Sequence, residues 1–290
     1  MVLLQPLCPP PPRSASWPVI VRQLLPAGHC LRGGVLVLGN FDGFHLGHRA
    51  LVAMARKIAC GRPVAVMSCE PHPRTFFGAQ DGPFRLASPD SKQRLLAGQG
   101  VDFVFSPSFD AAFAGLSPME FAGGVLAGGL GISAVVAGAD FRFGRSRAGD
   151  MEMLAALGRR HGFAVHAAPE VVAGGGRISS TRIRAALGSG DLAMAERLLG
   201  APWLAEVLRG PDGRLQLHPA LCRPRAGACL ATPDTGTPVW VQGDIDGLAI
   251  VLRNLIDNAL HHTDAQVELE VQPGERPALV VRDHGRGLTA

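Results

Sequence analysis

The chain of 290 residues contains no tyrosine, so no phenolic hydroxyl is available to any site it builds. Its six cysteines (Cys8, Cys30, Cys60, Cys69, Cys222 and Cys229) are scattered, and none forms a Cys-x-x-Cys pair. That spacing argues against a zinc site and against a disulfide framework. The cysteines read as buried or free thiols in a reducing compartment. No apolar run approaches the roughly 18 residues needed to cross a bilayer. The start, Met1 to Leu7, is apolar but too short for a signal core, has no basic leader and runs straight into Pro9 to Pro12. The expected address is therefore the cytoplasm. Charge is sparse, at 18% of residues with a net +4, which is too little for a nucleic-acid coat and suits a protein that handles phosphates.

What the chain does have is a large apolar fraction, 47%, which excludes wholesale disorder. Gly (37) and Pro (23) make up about a fifth of it, without the period of collagen. The length suits about two domains. Residues 1–17 read as a disordered, Pro-rich extension. From there to residue 202, strands alternate with helices. Val35-Leu36-Val37-Leu38 is a continuous aliphatic run, the pattern of a parallel strand buried on both faces. A glycine-rich turn and a helix from His48 to Ala59 follow, then a strand at Pro63 to Met67. Helices are expected at Ser91 to Gly98, Pro118 to Leu126, Asp150 to His161, Ser180 to Leu187 and Asp191 to Leu199. Strands are expected at Val101 to Phe105, Ile132 to Ala137 and Phe163 to Ala167. Roughly five strands interleaved with helices predict a doubly wound, Rossmann-like α/β domain over residues 18–202. Residues 203–238 are proline-rich and read as a linker or degenerate segment. Residues 239–290 read as a partial α+β block, with a helix from Ile245 to His261 and strands at Val267 to Val271 and Ala278 to Val281.

The most informative segment is Gly39-Asn40-Phe41-Asp42-Gly43-Phe44-His45-Leu46-Gly47-His48. It sits where an open parallel sheet binds ligands, between a strand's carboxyl end and a helix. Its glycines allow close backbone approach, and the helix start offers free N–H groups to a phosphate. His45 and His48, three apart, can face one pocket and stabilise charge developing on phosphate oxygens. The string has neither the Gly-x-Gly-x-x-Gly spacing nor the Lys-Ser/Thr of a P-loop, which disfavours a dinucleotide oxidoreductase or a P-loop kinase.

These residues resemble the nucleotidyltransferase signature of the prokaryotic FAD synthetase family, the FMN adenylyltransferase module of bifunctional riboflavin kinase/FMN adenylyltransferases. Three further segments match in order: Glu70-Pro71-His72-Pro73-Arg74, Gly138-Ala139-Asp140-Phe141-Arg142-Phe143-Gly144, and Ile178-Ser179-Ser180-Thr181-Arg182-Ile183-Arg184. The resemblance implies a nucleotidyltransferase fold that transfers AMP from ATP to FMN, giving FAD and pyrophosphate, with Mg²⁺ across the ATP phosphates. It implies that His45, His48 and Arg184 act in catalysis and that Gly39, Asn40, Phe41, Asp42, Gly47, Ser179, Ser180 and Thr181 hold ATP. Glu70, His72, Asp140, Phe141 and Gly144 would lie on the flavin side. Read as residues alone, alternatives stay open. Arg182 reads as a solvated helix residue, His72 as a rigid turn or a ligand contact, Asp140 as a turn residue, and Phe141 and Phe143 as core. The expected partners are small-molecule substrates, with neither nucleic acid nor membrane, and nothing points to a particular oligomeric state.

The family's riboflavin kinase hallmark, Gly-x-Pro-Thr-Ala-Asn, does not occur in the chain, so kinase activity is expected to be missing. The last block instead resembles a truncated sensor histidine kinase ATPase domain. Val241 to Asp244 and Leu252 to Leu260 are similar to its N box, and Asp283-His284-Gly285-Arg286-Gly287 to its first glycine box. Asn258 would be a possible Mg²⁺ ligand there, with Asn254 on the same helix face. This block is expected to be non-catalytic, perched on the domain by fusion or frameshift. The alternative to an active enzyme is a catalytically impaired flavin- or nucleotide-binding protein with this vestigial tail.

Overall fold

A computed structural model of the chain describes residues 17–78, 82–209, 215–225, 240–241, 267–272 and 278–283. The described residues within 1–81 and 92–179 form one compact unit, and those within 82–91 and 180–290 form a second.

The first unit is an α/β layer structure. In chain order it contains β1 (Val19–Val21), β2 (Val35–Leu38), α1 (Leu46–Ala59), β3 (Val64–Met67) and the single turn α2 (Pro73–Phe76). It continues with α3 (Pro89–Leu96, whose first residues belong to the other unit), β4 (Phe103–Phe105) and two short helices, α4 (Ala111–Ala114) and α5 (Pro118–Glu120). A π-helix, Phe121–Leu130, then leads to β5 (Ala134–Gly138), α6 (Met151–His161), β6 (Ala164–Ala168) and a small hairpin, β7 (Val172–Ala173) with β8 (Gly176–Arg177). The six main strands are all parallel, in the order β1-β4-β3-β2-β5-β6. The chain thus works outward from β2 to β3 and β4, then returns to place β5 on the other flank of β2.

Alternation along each strand feeds two apolar layers. Leu36, Leu38, Ala65, Met67, Phe103, Phe105, Val135 and Ala137 enter a core shared with Phe121, Leu126, Leu154 and Leu157. Val35, Val37, Val64, Val66, Val104, Ala134 and Val136 enter the opposite core, with Val52, Ala55, Ala59, Phe41 and Phe44. All four residues of β2 are buried, which is why it reads as an uninterrupted aliphatic run rather than an alternating one. The helix expected from Asp150 is formed and capped as its sequence implies. Asp150 accepts from the Met153 N–H at 2.9 Å, and Gly162 closes the helix at φ +81°.

Three local expectations change. The segment from Pro118 starts as an α-helix behind a Ser117–Glu120 capping box but winds as a π-helix from Phe121. Its run Phe121-Ala122-Gly123-Gly124-Val125-Leu126-Ala127-Gly128-Gly129-Leu130 has four glycines, whose backbone is freer than that of other residues. Arg32 reaches in to donate to the carbonyls of Gly128 (2.8 Å), Gly129 (2.9 Å) and Leu25 (2.7 Å). The sheet also gains β1, three residues long and too short to register as a pattern.

The third change lies in the second unit. It holds α7 (Ser180–Ser189) and α8 (Leu192–Leu199), and within the stretch expected to be a linker it folds β9 (Ala205–Arg209) and β10 (Leu215–Leu217). These pair antiparallel with each other and with β11 (Trp240–Val241). Trp203 is buried and its Nε1 donates to the Leu86 carbonyl at 2.8 Å, while Glu206 accepts from the Ser88 and Ser91 hydroxyls. The expected strands near Val267 and Ala278 appear as an antiparallel pair, β12 (Val267–Gln272) and β13 (Ala278–Asp283). The proline-rich start before residue 17, the N-box helix with Asn254 and Asn258, and the glycine box beyond Asp283 lie outside the described residues. Among the described residues, no helix is long and apolar enough to cross a membrane.

Candidate active site

The site grows from the carboxyl end of β2, in the middle of the sheet. The strands fanning to its two sides leave this edge, between β2 and β5, as the crevice where such sheets take ligands. The chain leaves β2 through residues 39–45, a turn with an unusual backbone. Phe41 (φ +51°), Gly43 (φ +78°) and Phe44 (φ +41°) all lie in the left-handed region. For two phenylalanines this is costly, about 1–3 kcal/mol each. Both rings are buried in the α1-side core, and burying a Phe side chain returns about 1.5–3 kcal/mol. The core thus holds the loop in a shape its backbone would not choose.

His45 ends the loop and caps α1. Its Nδ1 accepts from the His48 backbone N–H at 3.3 Å, so Nδ1 carries no proton and, in the neutral ring, Nε2 does. The two imidazoles stack, with centroids 3.7 Å apart and planes at 13°. Phe41 (4.9 Å) and Phe44 (6.4 Å) also pack on the His48 ring. Gly47 makes this stack possible, since a Cβ there would lie 3.1 Å from the His45 ring atoms Nδ1 and Cε1. His48 Nδ1 is buried without a hydrogen-bond partner among the described residues. Burial, then the neighbouring His45, then the Lys92 ammonium hold its pKa well below the usual 6.5. The free protein therefore presents a neutral His48 ring, stacked on His45, at a helix N-terminus, where unpaired N–H groups and the helix dipole favour an anion. Asp42 is buried in the same loop and Asn40 is exposed.

The loop after β3 carries Glu70 and His72. Glu70 pairs with Lys92 at 3.2 Å. His72 is buried and caps the single turn α2, its Nδ1 accepting from the Arg74 N–H at 3.1 Å. Between the two open readings of His72, this contact gives it a turn-holding part. Cys69 is a buried thiol whose pKa burial pushes up to about 12, so it stays protonated.

The loop after β5 carries Asp140, Phe141 and Gly144. Asp140 is largely exposed and bonded to Arg177 at 2.6 Å, which keeps its carboxyl below the usual range; Arg177 also reaches Glu170 at 3.4 Å. Phe141 is half-buried and stacks on buried Phe143 at 6.0 Å and 10°. Gly144 sits at φ +73°, and a Cβ there would come within 2.9 Å of Pro118, so the turn itself requires glycine.

The first unit therefore brings together Gly39, Phe41, Asp42, His45, Gly47 and His48, and it ends at Ser179. Ser180, Thr181 and Arg184 belong to the second unit. Ser180 opens α7, and the Arg184 Nε donates to the Phe84 carbonyl at 2.6 Å with its guanidinium 5.4 Å over the Phe84 ring. Sequence reasoning missed Lys92, which is buried beside Ser68 and Glu70. The signal was there: Lys92 lies one helical turn before fully buried Leu96, on the core-facing side of α3.

The family model described as FAD synthetase matches residues 28–182. The bifunctional riboflavin kinase/FMN adenylyltransferase of Pseudomonas fluorescens is 41% identical over 223 residues, covering 72% of this chain and 71% of that protein. A protein named FAD synthetase from Listeria monocytogenes is 33% identical over 174 residues, 59% of this chain and 70% of its own length. Other bifunctional relatives, such as that of Escherichia coli, are matched over only 55% of their length. A crystal structure described as a macrolide-efflux protein from Streptococcus pneumoniae follows the same chain path, with a TM-score of 0.64 and 26% identity, covering 78% of this chain and 91% of that one.

Proposed function

The chain belongs to the FAD synthetase family, and from that premise we propose that it is an FMN adenylyltransferase. In the proposed reaction an FMN phosphate oxygen attacks the α-phosphorus of ATP in line. The new P–O bond gives FAD, the bond from the α-phosphorus to the bridging oxygen breaks, and pyrophosphate leaves with that electron pair. No covalent enzyme intermediate is needed, so catalysis rests on positioning and on stabilising charge.

One observation carries the reading: two stacked imidazoles at the N-terminus of α1, on the carboxyl edge of β2 beside β5. Neutral His48 donates an N–H bond to phosphate oxygens without first binding a proton, the His45 ring stands beside it, and the helix N–H groups add to the cradle. Mg²⁺ enters with ATP as part of the substrate, held by phosphate oxygens and water. Glu70, Asp140 and Phe141 of the first unit border the flavin. The action is on free small molecules, and riboflavin itself is not phosphorylated, in keeping with the missing Gly-x-Pro-Thr-Ala-Asn segment.

The test is to incubate the full chain with Mg·ATP and either FMN or riboflavin, then separate the flavins by chromatography. FAD from FMN, with riboflavin unchanged, is the expected result. FMN or FAD from riboflavin would show a kinase, and no FAD from FMN would overturn the proposal.

A second expectation concerns Gly47. In the first turn of a helix, Gly47→Ala should gain up to about 1 kcal/mol of helix propensity. The same methyl presses on the His45 ring from 3.1 Å. The variant should melt at or above the wild-type temperature yet turn over more slowly. A loss of both activity and melting temperature would show that the glycine serves the fold rather than the stack.

A further inference from the structure

A lysine is seldom buried, because its ammonium loses water and must be paired. Lys92 is 5% exposed, as are its surroundings: Ser68 is 2% exposed and Cys69 4%. Its Nζ lies 2.7 Å from Ser68 Oγ and 3.2 Å from Glu70 Oε1. The place of this cluster follows from the sheet. Leu38 of β2 is paired with Met67 of β3, so the residues that follow them, Gly39 and Ser68, leave the sheet side by side. Ser68, whose hydroxyl the ammonium touches, therefore lies at the carboxyl edge of β3, the strand next to the one that launches the two histidines. The loop the ammonium grips is itself anchored: the Ser68 N–H donates to the Phe105 carbonyl, and Glu70 exchanges bonds with the chain beyond β4. A cation fixed this firmly beside a phosphate cradle does more than neutralise Glu70.

We propose that Lys92 is a positioning residue of the transfer reaction: it orients Glu70 and sets the positive field in which His48 works. The proposal rests on the adenylyltransferase reading for the identity of the reaction, and on the Ser68–Lys92–Glu70 geometry for the role. His48 has His45 and Lys92 as its charged neighbours. Arg49 lies on its own helix and Asp42 in the preceding loop, while Glu70 pairs with the ammonium and the Cys69 thiol interacts with both. The like charge of Lys92 adds to burial and to His45 in opposing proton uptake by His48.

The test compares wild type with Lys92→Met and Lys92→Arg, by the titration of the His48 ring in NMR and by steady-state FAD formation. Removing the ammonium should raise the His48 midpoint and lower kcat about 100-fold through misplacement of the loop, with a smaller change in KM. Lys92→Arg, which keeps the charge, should leave the midpoint at the wild-type value. Should Lys92→Met fail to fold, Lys92→Met with Glu70→Gln removes both charges and carries the same NMR expectation. A His48 midpoint that does not move on loss of the ammonium would overturn the proposal, whatever happens to kcat. If the wild type makes no FAD from FMN, the reading of the reaction fails, and the NMR midpoint still decides the role of Lys92.

Discussion

Replacing His48 with Asn should lower kcat for FAD formation by about 10²–10³, the cost of removing one preorganised donor from a developing charge, and leave the fold in place. His48 is singled out by its surroundings. Its ring stacks on His45 and packs against Phe41, and its Nδ1 has no partner among the described residues. A polar atom kept buried and unpaired costs stability, about 1–3 kcal/mol, and that cost is understandable if a ligand meets it. The same ring imposes a pH dependence on the fold. Its folded pKa is held below the ordinary 6.5 by burial and by two like charges, so below 6.5 the unfolded chain binds a proton that the folded chain refuses. The contribution to stability is complete above pH 6.5 and is lost as pH falls from there toward the folded value. His48→Asn should flatten this part of the stability curve, as read by denaturant unfolding at pH 7 and pH 5. An unchanged pH dependence, or a kcat within a fewfold of wild type, would remove His48 from the centre of the account.

Phe41 should show the second large effect. Phe41→Ala empties a fully buried site beside β2 and is expected to cost about 3–5 kcal/mol, a large share of the 5–15 kcal/mol typical of a domain. It also removes a wall of the His48 pocket, so activity should fall with stability. The backbone gives a sharper check. At φ +51° alanine keeps the strain and glycine relieves it. Phe41→Gly should therefore be no less stable than Phe41→Ala, despite having the smaller side chain. If the glycine variant is clearly the weaker one in urea unfolding, the loop is not strained as described.

The central sheet was legible because its residues have one physical reading. Val35 to Leu38 must be buried on both faces, and Asp150 and Gly162 mark the two ends of α6 by their capping chemistry. The histidine motif was legible for the same reason: glycines, a helix start and two imidazoles in ten residues leave few other uses. What stayed hidden depended on partners far along the chain. The π-helix from Phe121 looks like any apolar helix until Arg32, almost a hundred residues earlier, takes its last carbonyls. Gly144 looked like a ligand contact, yet Pro118 and its positive φ explain the glycine by themselves. Strands β9 and β10 were masked by the prolines around them. Lys92 was passed over because an isolated lysine on a helix is normally solvated, and only Ser68 and Glu70, reached across the sheet edge, reveal that it is not.

The most direct test of the central claim is to follow the phosphates. The full chain is incubated with FMN, Mg²⁺ and ATP labelled at the α-phosphorus, and the flavins are separated and counted. The account predicts that label enters the FAD fraction one for one with pyrophosphate release, and that His48→Asn abolishes most of it. Label that remains in ATP, or that is released as free AMP without entering flavin, would contradict it.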